Sequence, residues 1–292
     1  MEIRGAMVAL VTPFRDDRID RPAVKKLIDY MIENGIDAII PCGTTEESAT
    51  LTHQEHDEMI EITLELVAGR VPVIAGTGSN STKEAIRLTK HAAQAGAQAA
   101  LLITPYYNRP TQEGLYQHFR AVSEASDIPL IPYNVPARTG VNLLPPTLAR
   151  LAELKNIIGI KEATGSLAQA MEIIALCPQN FLLLSGEDML NLPLYAIGAR
   201  GTISVIANVA PQLVSGLYDA FVAGKLQEAN FLNRNLFDLN RILFVETNPI
   251  PVKAALAMMG MIGPEIRLPL TEPAPENKTK ILNVLKDLGL VN

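Results

Sequence analysis

The sequence contains no tryptophan, two cysteines and no long uncharged apolar segment. Cys42 and Cys177 lie far apart without C-x-x-C spacing, which favours free thiols in a reducing compartment over a disulfide. No stretch reaches the ~18 apolar residues that a transmembrane helix needs. The N-terminal apolar run is not followed by a signal-peptide cleavage pattern. We therefore expect a cytoplasmic protein that has no contact with a membrane.

Positive charge is also scarce, because 25 lysines and arginines face 31 acidic residues, for a net charge of -6. Such a balance provides no basic surface for nucleic acid. Only four histidines occur, and none ends an apolar run, so we predict neither a metal site nor a metal-dependent mechanism. The glycine-rich stretch GTGSN at 76–80 lacks the spacing of a nucleotide-binding loop. We expect no cofactor.

The 292 residues do contain eight short apolar runs, each ending in small or polar residues and followed by a segment of helical period. Continuous apolar runs without polar alternation indicate strands that are covered on both faces, as in a parallel sheet. The eight runs occupy residues 7–13, 38–44, 71–78, 99–107, 128–136, 157–164, 181–188 and 201–209.

The segments between these runs have helix start and stop signals. Apolar residues at Val24, Leu27, Ile28, Met31 and Ile32 form one stripe, and Gly35 follows as the expected C′ residue. Three S/T-x-x-E/Q patterns predict capping boxes, at Thr52/Glu55, Ser81/Glu84 and Ser166/Gln169.

Eight βα units at ~30-residue spacing predict an α/β fold, a (β/α)₈ TIM barrel, because closure removes the edges of an open sheet. A doubly wound open sheet is the alternative. After residue 210 only helical periods remain. We therefore assign residues 1–224 to the barrel, with the site at the C-terminal ends of its strands, and 225–292 to a C-terminal helical extension packed on it.

Lys161, in the run IIGIKEAT, is the only lysine inside a predicted strand. Strand alternation argues against an ion pair with its neighbour Glu162, since adjacent side chains point to opposite faces. Burial lowers the pKa of a lysine, and the neutral amine can then form a Schiff base with a 2-oxo acid. Lys253 lies in a helical segment, where a snorkelling or ion-paired side chain is the expectation.

Other polar residues near the strand ends complete a candidate site. Tyr133 ends the strand before Lys161, so its hydroxyl can serve as a proton carrier. Thr44 and Thr45 follow Cys42-Gly43 in a tight turn, which suits a substrate carboxylate but is also compatible with ordinary turn chemistry. Arg138, just past the fifth strand, offers a planar fork for a carboxylate.

Four motifs together resemble the pyruvate-dependent class I lyases, and within them the dihydrodipicolinate synthase family. They are GTT at 43–45, YY at 106–107, YNVPARTG at 133–140 and GIKEAT at 159–164. The resemblance covers nearly the whole chain in motif order and spacing.

This resemblance implies that pyruvate forms an imine on Lys161 and that its enamine attacks L-aspartate 4-semialdehyde to give 4-hydroxy-tetrahydrodipicolinate, in the diaminopimelate route to lysine. It implies a proton relay of Tyr133, Thr44 and Tyr107, the last from a neighbouring subunit of a homotetramer built from two dimers. Arg138 would hold the semialdehyde carboxylate, and the implied pocket-lining positions are Thr45, Gly186 and Ile203.

The resemblance also implies feedback inhibition by L-lysine, bound in a cleft between subunits. The implied cleft residues are Ser48, Ala49, His53, His56, Asn80, Glu84 and Tyr106. From their polar neighbourhood alone, both histidines would simply be exposed residues in the first turn of a helix. One position departs from the family pattern G-T-T-G-E: Glu46 stands where glycine is usual, which would strain the turn if that position needs a positive φ.

Three other functions remain open from the sequence. A sister lyase acting on N-acetylneuraminate or a 2-keto-3-deoxy sugar acid would share Lys161 and Tyr133, but typically has no arginine at position 138. A metal-dependent aldolase is disfavoured by the histidine count. A non-catalytic binding barrel would lack a relay residue, and none is missing.

Overall fold

The computed structural model describes residues 2–292, and a barrel of eight parallel strands forms its centre. The strands are β1 Gly5–Ala9, β2 Ala38–Ile40, β3 Ile74–Gly76, β4 Ala99–Ile103, β5 Leu130–Asn134, β6 Gly159–Glu162, β7 Leu182–Ser185 and β8 Gly201–Ser204. Seven of the eight predicted runs contain one of them, whereas β1 begins two residues before its predicted run at 7–13. A short antiparallel hairpin, Phe14–Arg15 with Arg18–Ile19, was not predicted.

The sheet closes on itself. β8 pairs with β1 in parallel, with Gly5 opposite Gly201, and β2 meets β3 through the parallel bridge Ile39–Val73. Two hydrogen bonds continue this last seam, from the Ile39 amide to the Pro72 carbonyl and from the Gly76 amide to the Pro41 carbonyl. The TIM barrel prediction is therefore confirmed, and the open-sheet alternative is wrong.

Helices cover the outside of the barrel and continue beyond its last strand. Those between the strands are α1 Arg21–Glu33, α2 His53–Val67, α3 Thr82–Ala95, α4 Gln112–Ala125, α5 Pro136–Thr139, α6 Pro145–Leu151, α7 Leu167–Leu176 and α8 Asn191–Ala196. Those after β8 are α9 Pro211–Val222, α10 Leu226–Asn235, α11 Phe237–Ile242, α12 Ile250–Met258 and α13 Pro275–Asp287. No helix within residues 2–292 is long and apolar enough to cross a bilayer.

The predicted helix signals are present, with one qualification. Gly35 follows α1 with φ of 84°, as expected of a C′ glycine. Thr52 and Glu55 form a complete capping box at α2. Ser81 and Ser166 cap α3 and α7 through their hydroxyls only, because the side chains that would complete the two boxes are bonded elsewhere. Glu84 is bonded to His53 and to Ser79, and Gln169 is bonded to Asn142.

Alternating strand residues separate an inner core, inside the barrel, from an outer core beneath the helices. In β6, Ile160 belongs to the outer core, whereas Lys161 faces the barrel interior beside Tyr133. Glu162 points outward again and accepts hydrogen bonds from Asn134 Nδ2 at 3.2 Å and from the Thr164 amide at 2.7 Å. The expectation that Glu162 does not pair with Lys161 is confirmed.

The C-terminal helices contact the turn after β2 through a buried ion pair. Lys253 of α12 is 1% exposed, and its Nζ lies 2.5 Å from Oε1 of Glu47. The other oxygen of Glu47 accepts a hydrogen bond from the Arg267 amide at 3.1 Å. Glu47 has φ of 56°, whereas Glu46 is not among the residues with positive φ. The strained positions of this turn are therefore Cys42, with φ of 63°, and Glu47, and the strain considered for Glu46 is absent.

Removing one partner of the buried pair should be costly. We expect Lys253→Met to lower the free energy of unfolding by about 3 kcal/mol, because Glu47 would remain buried without its cation. The double variant Lys253→Met/Glu47→Gln should recover part of this loss. Denaturant unfolding measures both, and Lys25→Met, which breaks an exposed pair with Asp29, is the control. Equal costs at Lys253 and Lys25 would contradict the expectation.

Candidate active site

Strand register brings Lys161 and Tyr133 together at the C-terminal end of the barrel. The two residues are paired across β5 and β6, and Nζ of Lys161 lies 4.3 Å from the centroid of the Tyr133 ring. Lys161 is 5% exposed and Tyr133 is 8% exposed. The amine is therefore removed from bulk water and lies against an aromatic face.

The amine of Lys161 has little to stabilise its charged form. Within residues 2–292 it makes no hydrogen bond and no ion pair. Burial lowers its pKa to about 8, the nearby charges of Glu46 and Asp188 oppose this shift, and Arg138 adds to it. A pKa of about 8 leaves roughly one amine in ten neutral at pH 7, far more than for an exposed lysine, and the neutral amine is the nucleophilic form.

Gly186, just after β7, makes room for the lysine side chain. A Cβ atom at this position would lie 3.0 Å from both Cγ and Cε of Lys161 and 2.8 Å from Cβ of Ala163. Any side chain at this position would displace the lysine. Gly186 thus lies at the site, and its contribution is the space that it leaves.

Tyr133 is a poor acid in the free protein. Burial raises its pKa to about 12, and the positive charge of Arg138 and the nearby side chain of Thr44 offset part of this rise. The phenol therefore keeps its proton at neutral pH. Tyr133 and Thr44, two residues of the predicted relay, are thus neighbours in the structure.

Thr45 and Arg138 are linked by a residue from the C-terminal region. Nδ2 of Asn248 donates to Oγ1 of Thr45 at 3.0 Å, and the Asn248 carbonyl accepts from Nη2 of Arg138 at 3.2 Å. Arg138 itself lies exposed on the short helix α5, at the mouth of the barrel. Sequence reasoning missed Asn248, since no pattern in the chain relates it to a turn about 200 residues away.

Two acidic residues near Lys161 were also not predicted as site residues. Asp188 follows β7 and accepts hydrogen bonds from the amides of Val205 and Ile206, at 2.8 and 3.2 Å. Glu46 has no exposed surface, and burial raises its pKa well above the usual value. The sequence signal that could have identified them as site residues is their position just after a strand. Asp188 ends the run at 181–188, and Glu46 lies in the GTTEES turn.

The remaining predicted catalytic and pocket residues differ in placement. Ile203 lies in β8, buried in the inner core opposite Met7 of β1. Tyr107 lies on the loop after β4, is 90% exposed and has φ of 72°. Within a single chain the structure does not bring Tyr107 to Tyr133 and Thr44.

Most of the predicted cleft residues do lie together, on the outside of the barrel near α2 and α3. Nε2 of His53 is 2.6 Å from Oε1 of Glu84, and Ser79 donates to the other oxygen of Glu84. The hydrogen bond from Ser79 has the largest effect in lowering the pKa of Glu84, and the contact with His53 also lowers it. Asn80 donates to the Tyr106 carbonyl at 3.2 Å. Ser48 and Ala49 lie nearby in sequence, on the 3₁₀ turn Ser48–Thr50 that precedes α2.

His56 is placed differently from the simple expectation of an exposed first-turn residue. It is buried, and its Nε2 donates to the Gly76 carbonyl at 3.0 Å. Burial lowers its pKa. That expectation is therefore wrong for His56, because the helix face that carries it packs on the end of β3, whereas it holds for His53, which is exposed.

Comparison with known proteins agrees with this geometry. A family model described as the Dihydrodipicolinate synthetase family matches residues 2–288. The chain belongs to this family. A 4-hydroxy-tetrahydrodipicolinate synthase from Syntrophus aciditrophicus is 57% identical over 288 residues, which cover 99% of both chains. The dihydrodipicolinate synthase structure from Aquifex aeolicus is 48% identical, covers 99% of both chains and has a TM-score of 0.97.

Two further solved structures were determined with small molecules. The chloride-inhibited dihydrodipicolinate synthase from Acinetobacter baumannii, complexed with pyruvate, is 47% identical, covers 99% of this chain and 100% of that one, and has a TM-score of 0.97. DHDPS from Cyanidioschyzon merolae, with lysine bound, is 40% identical, covers 99% of each chain and has a TM-score of 0.95. Membership of the dihydrodipicolinate synthetase family confirms the resemblance found in the sequence and identifies the chain as a lyase-type enzyme of lysine biosynthesis.

The space left by Gly186 can be tested directly. We expect Gly186→Ala to slow imine formation on Lys161 by about 10- to 100-fold, because a displacement of the reacting group of about 1 Å has effects of this size. Borohydride trapping with pyruvate measures the rate. Gly216→Ala is the control, since a Cβ atom there would meet only Leu232 at an ordinary 3.5 Å. Similar trapping rates for the two variants would contradict the steric argument.

Proposed function

We infer that this protein condenses pyruvate with L-aspartate 4-semialdehyde to form 4-hydroxy-tetrahydrodipicolinate, through an imine on Lys161. The observation that supports this most strongly is the buried amine without a hydrogen-bond partner, beside Tyr133, in a member of the dihydrodipicolinate synthetase family. The complex of the Acinetobacter baumannii relative with pyruvate supports the choice of the keto acid.

The first half of the mechanism forms the nucleophile. The neutral amine of Lys161 attacks the carbonyl carbon of pyruvate, and loss of water gives an iminium ion. The positive nitrogen then draws electrons from the adjacent C–H bond, so that removal of a methyl proton gives an enamine. Tyr133 and the neighbouring Thr44 would carry protons in these steps. No cofactor is needed, and we expect activity to survive treatment with EDTA.

The second half joins the two substrates. The enamine carbon attacks the aldehyde of the semialdehyde, and the amino group of the semialdehyde then attacks the imine carbon, which closes the ring and releases Lys161. The backbone N–H groups and hydroxyls of Thr44 and Thr45 would hold the pyruvate carboxylate. Arg138, held by Asn248, would bind the carboxylate of the semialdehyde.

Tyr107 would complete the proton relay from a neighbouring subunit. Its 90% exposure in the single chain leaves the side chain free to enter another molecule. We therefore propose a homotetramer made of two dimers, in which each site borrows one tyrosine. We also propose that the enzyme acts in the cytoplasm, since both cysteines are unpaired.

Covalent trapping tests the reaction. Borohydride reduction in the presence of pyruvate should add one adduct, and mass spectrometry should locate it on the peptide that contains Lys161. Lys161→Ala should abolish both the adduct and turnover, because no other described lysine lies in a strand. An adduct on Lys253 instead would overturn the assignment. Assays that pair pyruvate with the semialdehyde, or with the aldehyde partners of the sugar-acid and N-acetylneuraminate lyases, separate these activities, and Arg138 favours the first.

Feedback inhibition by L-lysine is proposed for the cleft of His53, Glu84, Asn80 and Tyr106, and the lysine-bound relative from Cyanidioschyzon merolae supports it. Glu84 would pair with a lysine ammonium group in this cleft. We expect L-lysine to inhibit the enzyme and Glu84→Gln to raise the inhibition constant at least about tenfold. Glu58→Gln, at an exposed carboxylate of α2, is the control. Rates that stay unchanged up to millimolar L-lysine would remove the proposal.

A further inference from the structure

Glu46 is a buried carboxyl group that the mechanism above does not use. It has no exposed surface, and neither of its oxygens has a hydrogen-bond partner within residues 2–292. The backbone N–H groups of Gly43 and of Glu46 itself lie near the carboxyl, but neither bonds to it with normal geometry. An isolated carboxylate in such a place is far more costly than the neutral acid.

The chain makes specific room for this side chain. A Cβ atom on residue 43 would lie 2.7 Å from Oε2 of Glu46, so a side chain at this position would move the end of Glu46. The hydroxyl of Thr12 donates to the Glu46 carbonyl at 2.8 Å and fixes the backbone. The side chain is therefore held in a defined position in the turn that precedes α2.

The charge of Glu46 acts on Lys161. Among the charged groups that alter the pKa of Lys161, Glu46 has the largest effect, ahead of Asp188 and Arg138. Asp188 is already bonded to the amides of Val205 and Ile206, so its charge is stabilised whether or not Lys161 is charged. Glu46 has no such bonds. Its ionisation therefore depends on whether a cation stands beside it.

We propose that Glu46 holds the proton that imine formation consumes, and that its carboxylate becomes the counter-ion of the iminium group on Lys161. This rests on the proposed function. When the amine attacks pyruvate, a C–N bond forms and the carbonyl C–O bond breaks. The oxygen leaves as water with one proton from the amine and one from Glu46. The products are an iminium cation, a Glu46 carboxylate and water, so atoms and charge balance.

The other charged groups that alter the pKa of Lys161 are Asp188 and Arg138, one of each sign. With the iminium group, the Glu46 carboxylate and the carboxylate of pyruvate, the loaded site would hold three negative and two positive charges. The remaining titratable groups that respond to Glu46 are Cys42 and Tyr133, and burial raises the pKa of both. Both are neutral at pH 7 to 9 and do not compete for the proton.

Proton counting tests the proposal. Imine formation from the neutral amine should take up one proton fewer in the wild type than in Glu46→Gln, because only the wild type supplies a proton from within the site. Calorimetric titration with pyruvate, in buffers of different ionisation enthalpy at pH 7.0 and 8.5, measures this number. We expect a difference of about one proton, and pyruvate binding at least about tenfold weaker in the variant, since the iminium loses its counter-ion.

Controls separate this role from a structural one. Glu153→Gln removes an exposed carboxylate and should match the wild type. Glu46→Gly, which also removes the carboxyl, should show the same proton difference as Glu46→Gln and is available if the glutamine variant does not fold. Equal proton counts in the wild type and both Glu46 variants, with an adduct still found on Lys161, would overturn the proposal. An absence of any adduct on Lys161 would instead overturn the proposed reaction.

Discussion

The burial of one amino group inside the barrel is the constraint around which this site is arranged. A lysine ammonium in a low-dielectric interior is costly, and Lys161 makes no hydrogen bond or ion pair within the described chain, so burial lowers its pKa despite the nearby charges of Glu46 and Asp188. The barrel makes this possible because its paired strands leave Lys161 only 5% exposed. Register against β5 and the space at Gly186 then determine where the amine lies.

The turn after β2 depends on the C-terminal helices for its shape. Glu47 adopts a left-handed conformation that is costly for a residue with a side chain, and its buried ion pair with Lys253 offsets that cost. The same turn contains Thr45, which is bonded to Asn248, and Glu46. The helical extension is therefore part of the active-site structure, because it holds the loop that contains the substrate-binding and acidic groups.

Local patterns were sufficient to predict the barrel and the centre of the site. Each strand occurs in a continuous apolar run, and the period of two places Lys161 inside and Glu162 outside without any knowledge of the fold. The Glu47–Lys253 pair and the Thr45–Asn248 contact join residues more than 200 positions apart, and no local pattern contains that information. His56 was misjudged for a related reason. Its polar neighbours indicated exposure, but the carbonyl that it meets belongs to another strand.

The two carboxyl groups near Lys161 differ in a way that suits different tasks. Burial raises the pKa of Asp188, and two backbone amide hydrogen bonds oppose that rise by stabilising its negative charge. Burial raises the pKa of Glu46, neither of whose oxygens has a hydrogen-bond partner of normal geometry, and the charge of Lys161 opposes that rise. A permanent anion can only raise the pKa of the lysine, whereas a carboxyl that ionises on demand can release a proton and then stabilise the cation that forms. Both carboxyl groups lie on loops at strand ends. The number of backbone amides that a loop directs at its carboxyl group therefore determines how strongly the ionised form of that group is stabilised.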